Sequence, residues 1–191
     1  MSQRVDVYVD RRETRDALDQ DLVLWLAAAG YLAYPVPNAL CVASEVFAWL
    51  EHLKPCGLVL SGGNDIGTMA RRDFTEEIML KYAERERLPL LGICRGMQML
   101  AYTSFVPLTG INGHVRTRHQ LEGDIQGEAN SYHSLALAEC PMGYRVLARS
   151  EDASIEAIRR KDLPWEGWMW HPERESSFCD RDLERLKGLF G

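Results

Sequence analysis

Cys94 stands in the run Leu90-Leu91-Gly92-Ile93-Cys94-Arg95-Gly96-Met97-Gln98, between two glycines spaced two residues either side of it. An apolar stretch with strand character enters this run and a helix-forming stretch leaves it, so Cys94 is expected at the apex of a sharp strand-to-helix turn. Such a turn lifts the thiol off the sheet, and the positive end of the following helix favours the thiolate that attacks a carbonyl carbon. A buried, inert cysteine is the alternative for this motif taken alone. A second motif favours the reactive reading. Near the C-terminus, Gly167-Trp168-Met169-Trp170-His171-Pro172-Glu173 reads as a short apolar strand ending in a histidine and a glutamate two residues apart. A cysteine attacking an amide needs an imidazole to manage the proton, and that imidazole needs a carboxylate on its other nitrogen to fix its tautomer and orientation. Cys94, His171 and Glu173 supply those three parts, which points to cleavage of an acyl bond.

Leu60-Ser61-Gly62-Gly63-Asn64-Asp65, the Cys94 run and Trp170-His171-Pro172-Glu173 together span most of the chain. In these three motifs it resembles a class I glutamine amidotransferase domain, whose triad is Cys, His and Glu in this order. A finer resemblance, through Arg15-Asp16-Ala17-Leu18-Asp19-Gln20, Gly62-Gly63-Asn64-Asp65-Ile66 and Asn130-Ser131-Tyr132-His133, is to the stand-alone γ-glutamyl hydrolase branch. That branch includes short bacterial enzymes acting on a γ-glutamyl nucleotide phosphoramidate.

The resemblance implies an oxyanion hole made by the backbone amides of Gly63 and Arg95, with Gly62 and Asn64 beside the substrate. It also implies that Gln98 and the segment Ser131, Tyr132 and His133 border the amino-acid end of a γ-glutamyl group. Gln98 lies one helical turn after Cys94 and could instead be a polar residue satisfied by backbone, and His133 a structural or exposed histidine. The chain departs from the branch at Ser134-Leu135, where a glutamine often follows the histidine by two residues. A second departure is Ser104-Phe105-Val106-Pro107 in place of a Phe-Gly-Gly turn, where the local backbone should differ.

In His114-Val115-Arg116-Thr117-Arg118-His119, strict alternation would put His114, Arg116 and Arg118 on one face of a strand. A solvated face is the commoner outcome for such a run. Its expected position near the mouth of the site makes His114, Arg116 and His119 the alternative contacts for a phosphorylated leaving group. The pairs Arg11-Arg12 and Arg71-Arg72 read as solvated surface. Trp165, Trp168 and Trp170 read as core or pocket wall.

The implied reaction is hydrolysis of a small γ-glutamyl conjugate through a γ-glutamyl thioester, without a metal or organic cofactor. The alternative is a glutaminase subunit that hands ammonia to a separate synthetase; a non-catalytic relative is disfavoured by the complete triad. Neither the leaving group nor the oligomeric state is legible.

The 191 residues, 46% of them hydrophobic, suffice for one catalytic domain, 1–191, and the formal charge of −6 disfavours non-specific nucleic-acid binding. No run reaches membrane-spanning length, no signal-peptide core precedes residue 10, and five scattered cysteines without metal-type pairing suit a reducing cytosol.

The elements needed to place these residues alternate. Strands are expected at 5–9, 32–36, 57–61 and 90–93, and helices at 16–29, from 44, and at about 73–87. The second half offers strands at 115–119, 144–148, 155–158 and 167–170 and a closing helix from Asp180, whose Leu183, Leu186, Leu189 and Phe190 form a packing face. The expected fold is α/β: an open, mostly parallel sheet covered by helices in three layers, with catalytic parts at strand ends.

Overall fold

A computed structural model describes residues 1–191. Strand β1 (Arg4–Tyr8) turns back through a short 3-10 segment into β2 (Glu13–Ala17), and the two form an antiparallel hairpin outside the main sheet. Residues 13–17 are therefore strand, and helix α1 runs only over Gln20–Ala28. Asp16 is held in that extended segment because its carboxylate accepts from the backbone and side-chain amide of Asn38. Asp19 then caps α1 by accepting from the Asp21 amide at 3.0 Å.

Residues 32–36 form no strand. The side chains of Leu32 and Tyr34 project into solvent, and the segment meets Met1 through two bonds alone, the Tyr34 carbonyl accepting from its ammonium and the Val36 amide donating to its carbonyl. Helix α2 (Ala43–Leu53), β3 (Leu58–Leu60), α3 (Ala70–Glu86), β4 (Leu90–Ile93) and α4 (Arg95–Thr103) follow as the alternation requires.

The second half holds β5 (Leu108–Gly110), β6 (Val115–Gly123), β7 (Gly127–Tyr132), β8 (Leu135–Leu137), β9 (Tyr144–Arg149), β10 (Ile155–Arg160), β11 (Trp165–Trp168) and α5 (Asp180–Phe190). The main sheet has seven strands in the order β3-β4-β11-β10-β9-β6-β7. It is parallel only where β4 lies between β3 and β11, and antiparallel from β11 outward, so the sheet is mixed rather than mostly parallel. Helical crossovers serve the first half, whereas strands after α4 are joined by connections too short for a crossover helix. Strands β5 and β8 pair separately.

Three layers follow from the faces of β11. Gly167 faces α4, where an added Cβ would lie 2.8 Å from Met97 Cγ. Its neighbour Trp168 points the other way and meets Trp25 of α1 edge-on at 6.2 Å. On that second face Glu166 accepts from Arg185 of α5. Helix α3 is tied beside α4 by ion pairs from Arg95 to Asp73 and Glu76. All three tryptophans of the C-terminal strand region are core: Trp165, Trp168 and Trp170 are buried, the last two stacked 5.3 Å apart.

Candidate active site

All of Leu90-Leu91-Gly92-Ile93 is buried, flanked on both edges by parallel strands, and the chain leaves it through Cys94 with φ +49° and ψ −102°. A non-glycine residue there stores about 1–3 kcal/mol of strain, tolerated only when the surroundings over-determine it. They do so on both sides. The Cys94 amide donates to the Trp168 carbonyl at 2.7 Å, and its carbonyl accepts the first turn of α4 from Gln98. The flanking glycines permit the crossing: a Cβ on Gly92 would lie 2.5 Å from the Gly96 carbonyl carbon, and one on Gly96 2.2 Å from the Leu60 oxygen. The strand, the turn and the helix therefore touch backbone to backbone.

His171 sits just beyond β11, next to β4 in the sheet, so parallel pairing brings it beside Cys94. Its Nδ1 lies 2.6 Å from Glu173 Oε1. Both side chains are buried, and Cys94 is 7% exposed. Burial disfavours a charged ring, but the Cys94 sulfur and the Glu173 carboxylate outweigh it and push the His171 pKa up to about 9.

The backbone of His171 is clamped by one side chain. Asn130 of β7 accepts from its N–H at 2.9 Å and donates to its carbonyl at 2.7 Å. Tyr132 meets the imidazole edge-on at 5.9 Å, and Gly62 lies so close beneath that a Cβ would fall 2.6 Å from Cε1.

The loop after β3 is positioned by Arg72, which is fully buried rather than solvated; Arg71 beside it is exposed. Helix α3 places Arg72, Glu76, Met79 and Ala83 on one inward stripe, and the guanidinium donates to the carbonyls of Ser61 (2.7 Å), Gly62 (2.9 Å) and Gly63 (3.0 Å). In a trans peptide the N–H points opposite to the preceding carbonyl, so with the Gly62 oxygen on Arg72 the Gly63 N–H is directed away from it. The Arg95 N–H occupies the first position of α4, one of the donors a helix leaves unpaired. Glu76 joins the two halves, accepting from Arg72 at 3.0 Å and from the Arg95 guanidinium. Asp73 also accepts from Arg95. Burial lowers the Arg72 pKa, opposed by Glu76.

Among the other expected contacts, Gln98 is buried and donates to the Leu135 carbonyl at 3.1 Å. Asn64 is committed to the hairpin: its side-chain oxygen accepts from the Val5 amide at 2.7 Å and its nitrogen donates to the Val5 carbonyl. Ser131 is buried with its hydroxyl on the His114 carbonyl, and His133 is buried with Nδ1 3.1 Å from the Leu135 carbonyl.

His114, Arg116 and Arg118 do not share a strand face. Arg116 adopts φ +57° at a register shift between Val115 and Thr117, which breaks the alternation. His114 is 1% exposed and turned inward to Asp152 and His133, Arg116 is exposed, and Arg118 pairs with Glu128 and Glu175. His119 packs on His114 with ring centroids 4.0 Å apart. The turn after α4 keeps a left-handed residue, Phe105, at φ +61°.

Sequence reasoning passed over Arg72, Glu76 and Asn130 as working parts. The i,i+4 spacing of Arg72 and Glu76 was a signal for the first two; Asn130 had none beyond its place in a motif.

The model of the family described as Glutamine amidotransferase class-I matches residues 33–187. A γ-glutamyl-CDP-amidate hydrolase of Campylobacter jejuni is 31% identical over 150 residues, covering 75% of this chain and 74% of that protein. Anthranilate synthase component 2 of Thermococcus kodakarensis is 32% identical over 170 residues, covering 81% and 79%. Among solved structures, a GMP synthase subunit protein of Thermoplasma acidophilum superposes with a TM-score of 0.71 at 21% identity, over 90% of this chain and 87% of that one. With more than half of its length matched by the family model, the chain belongs to the class I glutamine amidotransferase family.

Proposed function

We infer that the protein hydrolyses the γ-glutamyl amide bond of a small conjugate, with Cys94 as nucleophile, His171 as acid and base, and Glu173 as its orienter. The observation that carries this reading is the strained Cys94 turn beside a buried imidazole whose other nitrogen is bonded to Glu173 at 2.6 Å. An imidazolium persisting to about pH 9 is the partner a thiolate needs. The thiolate attacks the γ-carbonyl carbon and the carbonyl electrons move onto oxygen, facing the Gly63 and Arg95 N–H groups. Collapse breaks the C–N bond as His171 gives its proton to the leaving nitrogen. Water then attacks the thioester, losing a proton to His171, and glutamate departs as the thiolate re-forms.

The leaving group is drawn from the relative named as a γ-glutamyl-CDP-amidate hydrolase, which favours a nucleotide phosphoramidate. A second reading rests on relatives named as parts of synthases, among them a glutamine-hydrolysing GMP synthase subunit of Thermococcus kodakarensis at 29% identity over 148 residues. In that reading the substrate is glutamine and ammonia passes to a separate synthetase.

Glutamate release by wild type and Cys94→Ala on glutamine, γ-glutamyl amines and γ-glutamyl nucleotide phosphoramidate separates the two. Turnover of one conjugate well above glutamine, falling at least about 10⁴-fold in Cys94→Ala, supports the hydrolase. Glutamine turnover alone, rising when a synthetase is added, supports the ammonia-transfer reading. Activity surviving in Cys94→Ala would sink both.

A further inference from the structure

Behind the segment that carries Gln98's partner, three side chains from distant parts of the chain converge: His114 before β6, His133 after β7 and Glu156 on β10, all buried. His114 Nδ1 lies 3.3 Å from His133 Nε2 and 3.4 Å from Glu156 Oε1, and His133 Nε2 lies 3.6 Å from the same oxygen. The far nitrogens fix the tautomers. His114 Nε2 faces the Asp152 carboxylate at 2.9 Å and His133 Nδ1 faces the Leu135 carbonyl at 3.1 Å, and both partners only accept. Each far nitrogen therefore carries the hydrogen, which leaves His114 Nδ1 and His133 Nε2 as lone pairs directed at each other and at a carboxylate oxygen.

Three lone-pair donors facing one another without a cation repel. Glu156 Oε1 is buried and has no hydrogen-bond partner at all, an arrangement that costs free energy unless something binds it. A proton shared between the imidazoles would satisfy one edge of the triangle and leave the other two. A metal ion at its centre would satisfy all three.

The size of the triangle agrees: Zn–N and Zn–O bonds of about 2.0–2.2 Å at tetrahedral angles put neighbouring ligand atoms about 3.3–3.6 Å apart. The surroundings agree as well, because a carboxylate or carbonyl on the far nitrogen of each histidine is the usual support of metal-bound imidazole.

We propose that His114 Nδ1, His133 Nε2 and Glu156 Oε1 form a binding site for one zinc-like divalent transition-metal ion, with the fourth position left to water. The site is distinct from Cys94, His171 and Glu173 and does not depend on the hydrolase reading. It ties the open end of the β6–β7 hairpin, through the entrance of β6 and the end of β7, to the middle of β10. Because the Leu135 carbonyl accepts from both His133 Nδ1 and Gln98 Nε2, the ion would also fix the strand that faces Gln98.

The test is titration of tag-free Cys94→Ala protein with Co2+, followed by visible spectroscopy and displacement with Zn2+. The expected result is one equivalent per chain, with the d–d absorption of a four- or five-coordinate nitrogen and oxygen site and no thiolate charge-transfer band. Glu156→Gln should abolish that spectrum, and Asp152→Asn should weaken binding about 10- to 100-fold by loosening His114. Should Glu156→Gln fail to fold by circular dichroism, His114→Gln serves as the second ligand variant. Absence of the spectrum in the Cys94→Ala parent overturns the proposal whatever the variants do. So does an unchanged spectrum in a folded ligand variant, or a charge-transfer band showing that the ion sits on the exposed Cys41 or Cys56.

Discussion

At the level of single residues, the proposed chemistry rests on how few degrees of freedom His171 retains. Glu173→Gln keeps the size of the side chain but removes the charge and offers a donor as readily as an acceptor. We expect kcat to fall about 10²- to 10⁴-fold, as for a mis-set imidazole tautomer, with KM changed little, in steady-state assays on whichever substrate turns over. The pH profile provides a second check. The His171 pKa is raised from 6.5 to about 9, so the acid form that protonates the leaving group should persist and the alkaline limb of kcat/KM should lie near 9.

The same shift links to stability. Because the folded pKa exceeds the unfolded one, the contribution is fully present below about pH 6.5 and is lost as pH rises through about 9. Denaturant melts of wild type should therefore lose stability between pH 6.5 and 9.5, and Glu173→Gln should lose less. A flat wild-type profile over that window would contradict the charged-ring assignment. Gly62→Ala is a third residue-scale probe. Its Cβ would meet His171 Cε1 at 2.6 Å, so the ring must move, and a misplacement on the order of 1 Å costs about 10²-fold in rate.

At the level of elements, α3 does what its charged sequence disguises. Its inward stripe carries Arg72 and Glu76 among apolar residues, and the guanidinium gathers three successive carbonyls of the loop after β3. Lysine could supply charge but not the planar fan of donors. Arg72→Lys should therefore lower kcat more than it raises KM, and should lower Tm. Arg72→Met, which leaves Glu76 short of a partner, should destabilise by about 3–5 kcal/mol in denaturant melts. If Arg72→Lys were kinetically silent, the loop would not need its carbonyls held. Gly96→Ala tests the other side of the junction: a Cβ 2.2 Å from a strand carbonyl cannot be accommodated by a rotamer change. Loss of soluble folded protein is the expected outcome, read from expression and circular dichroism.

At the level of the whole molecule, the sheet closes on its own site. Strands β7 and β11 are separated by β10, β9 and β6 in the sheet order, yet Asn130 of β7 makes two hydrogen bonds to the backbone of His171. The sheet must curl to bring them together. Asn130→Ala would leave the buried His171 N–H unpaired, at a cost of about 1–3 kcal/mol, while the His171 carbonyl keeps the Arg174 amide as its donor. Both Tm and kcat should fall, the second because His171 loses its anchor; unchanged melting would mean that water replaces the amide. A cleft of about 1170 Å³ lies at the other end of α4 from Cys94, lined by Tyr102, Pro107 and Trp165 together with the exposed Phe105 and Met142. None of Cys94, His171 and Glu173 lines it.

The parts that the amino-acid sequence determined are those whose cause is local. Gly92 and Gly96 surround Cys94 because strand, turn and helix cross within five residues, and the His171-Pro172-Glu173 spacing puts a carboxylate within reach of its own imidazole. The order of β3, α3, β4 and α4 was legible for the same reason: each has a continuous pattern of burial along its own length. What only the tertiary structure decided depends on residues far apart in the chain. An arginine in a charged helix reads as surface until the loop it must neutralise is placed against it, as with Arg72. Strand directions beyond β11, the bulge at Arg116 that turns His114 inward, and the meeting of His114, His133 and Glu156 carry no local signature. Periodicity reports which face of an element is buried, whereas these features depend on which distant face is brought against it.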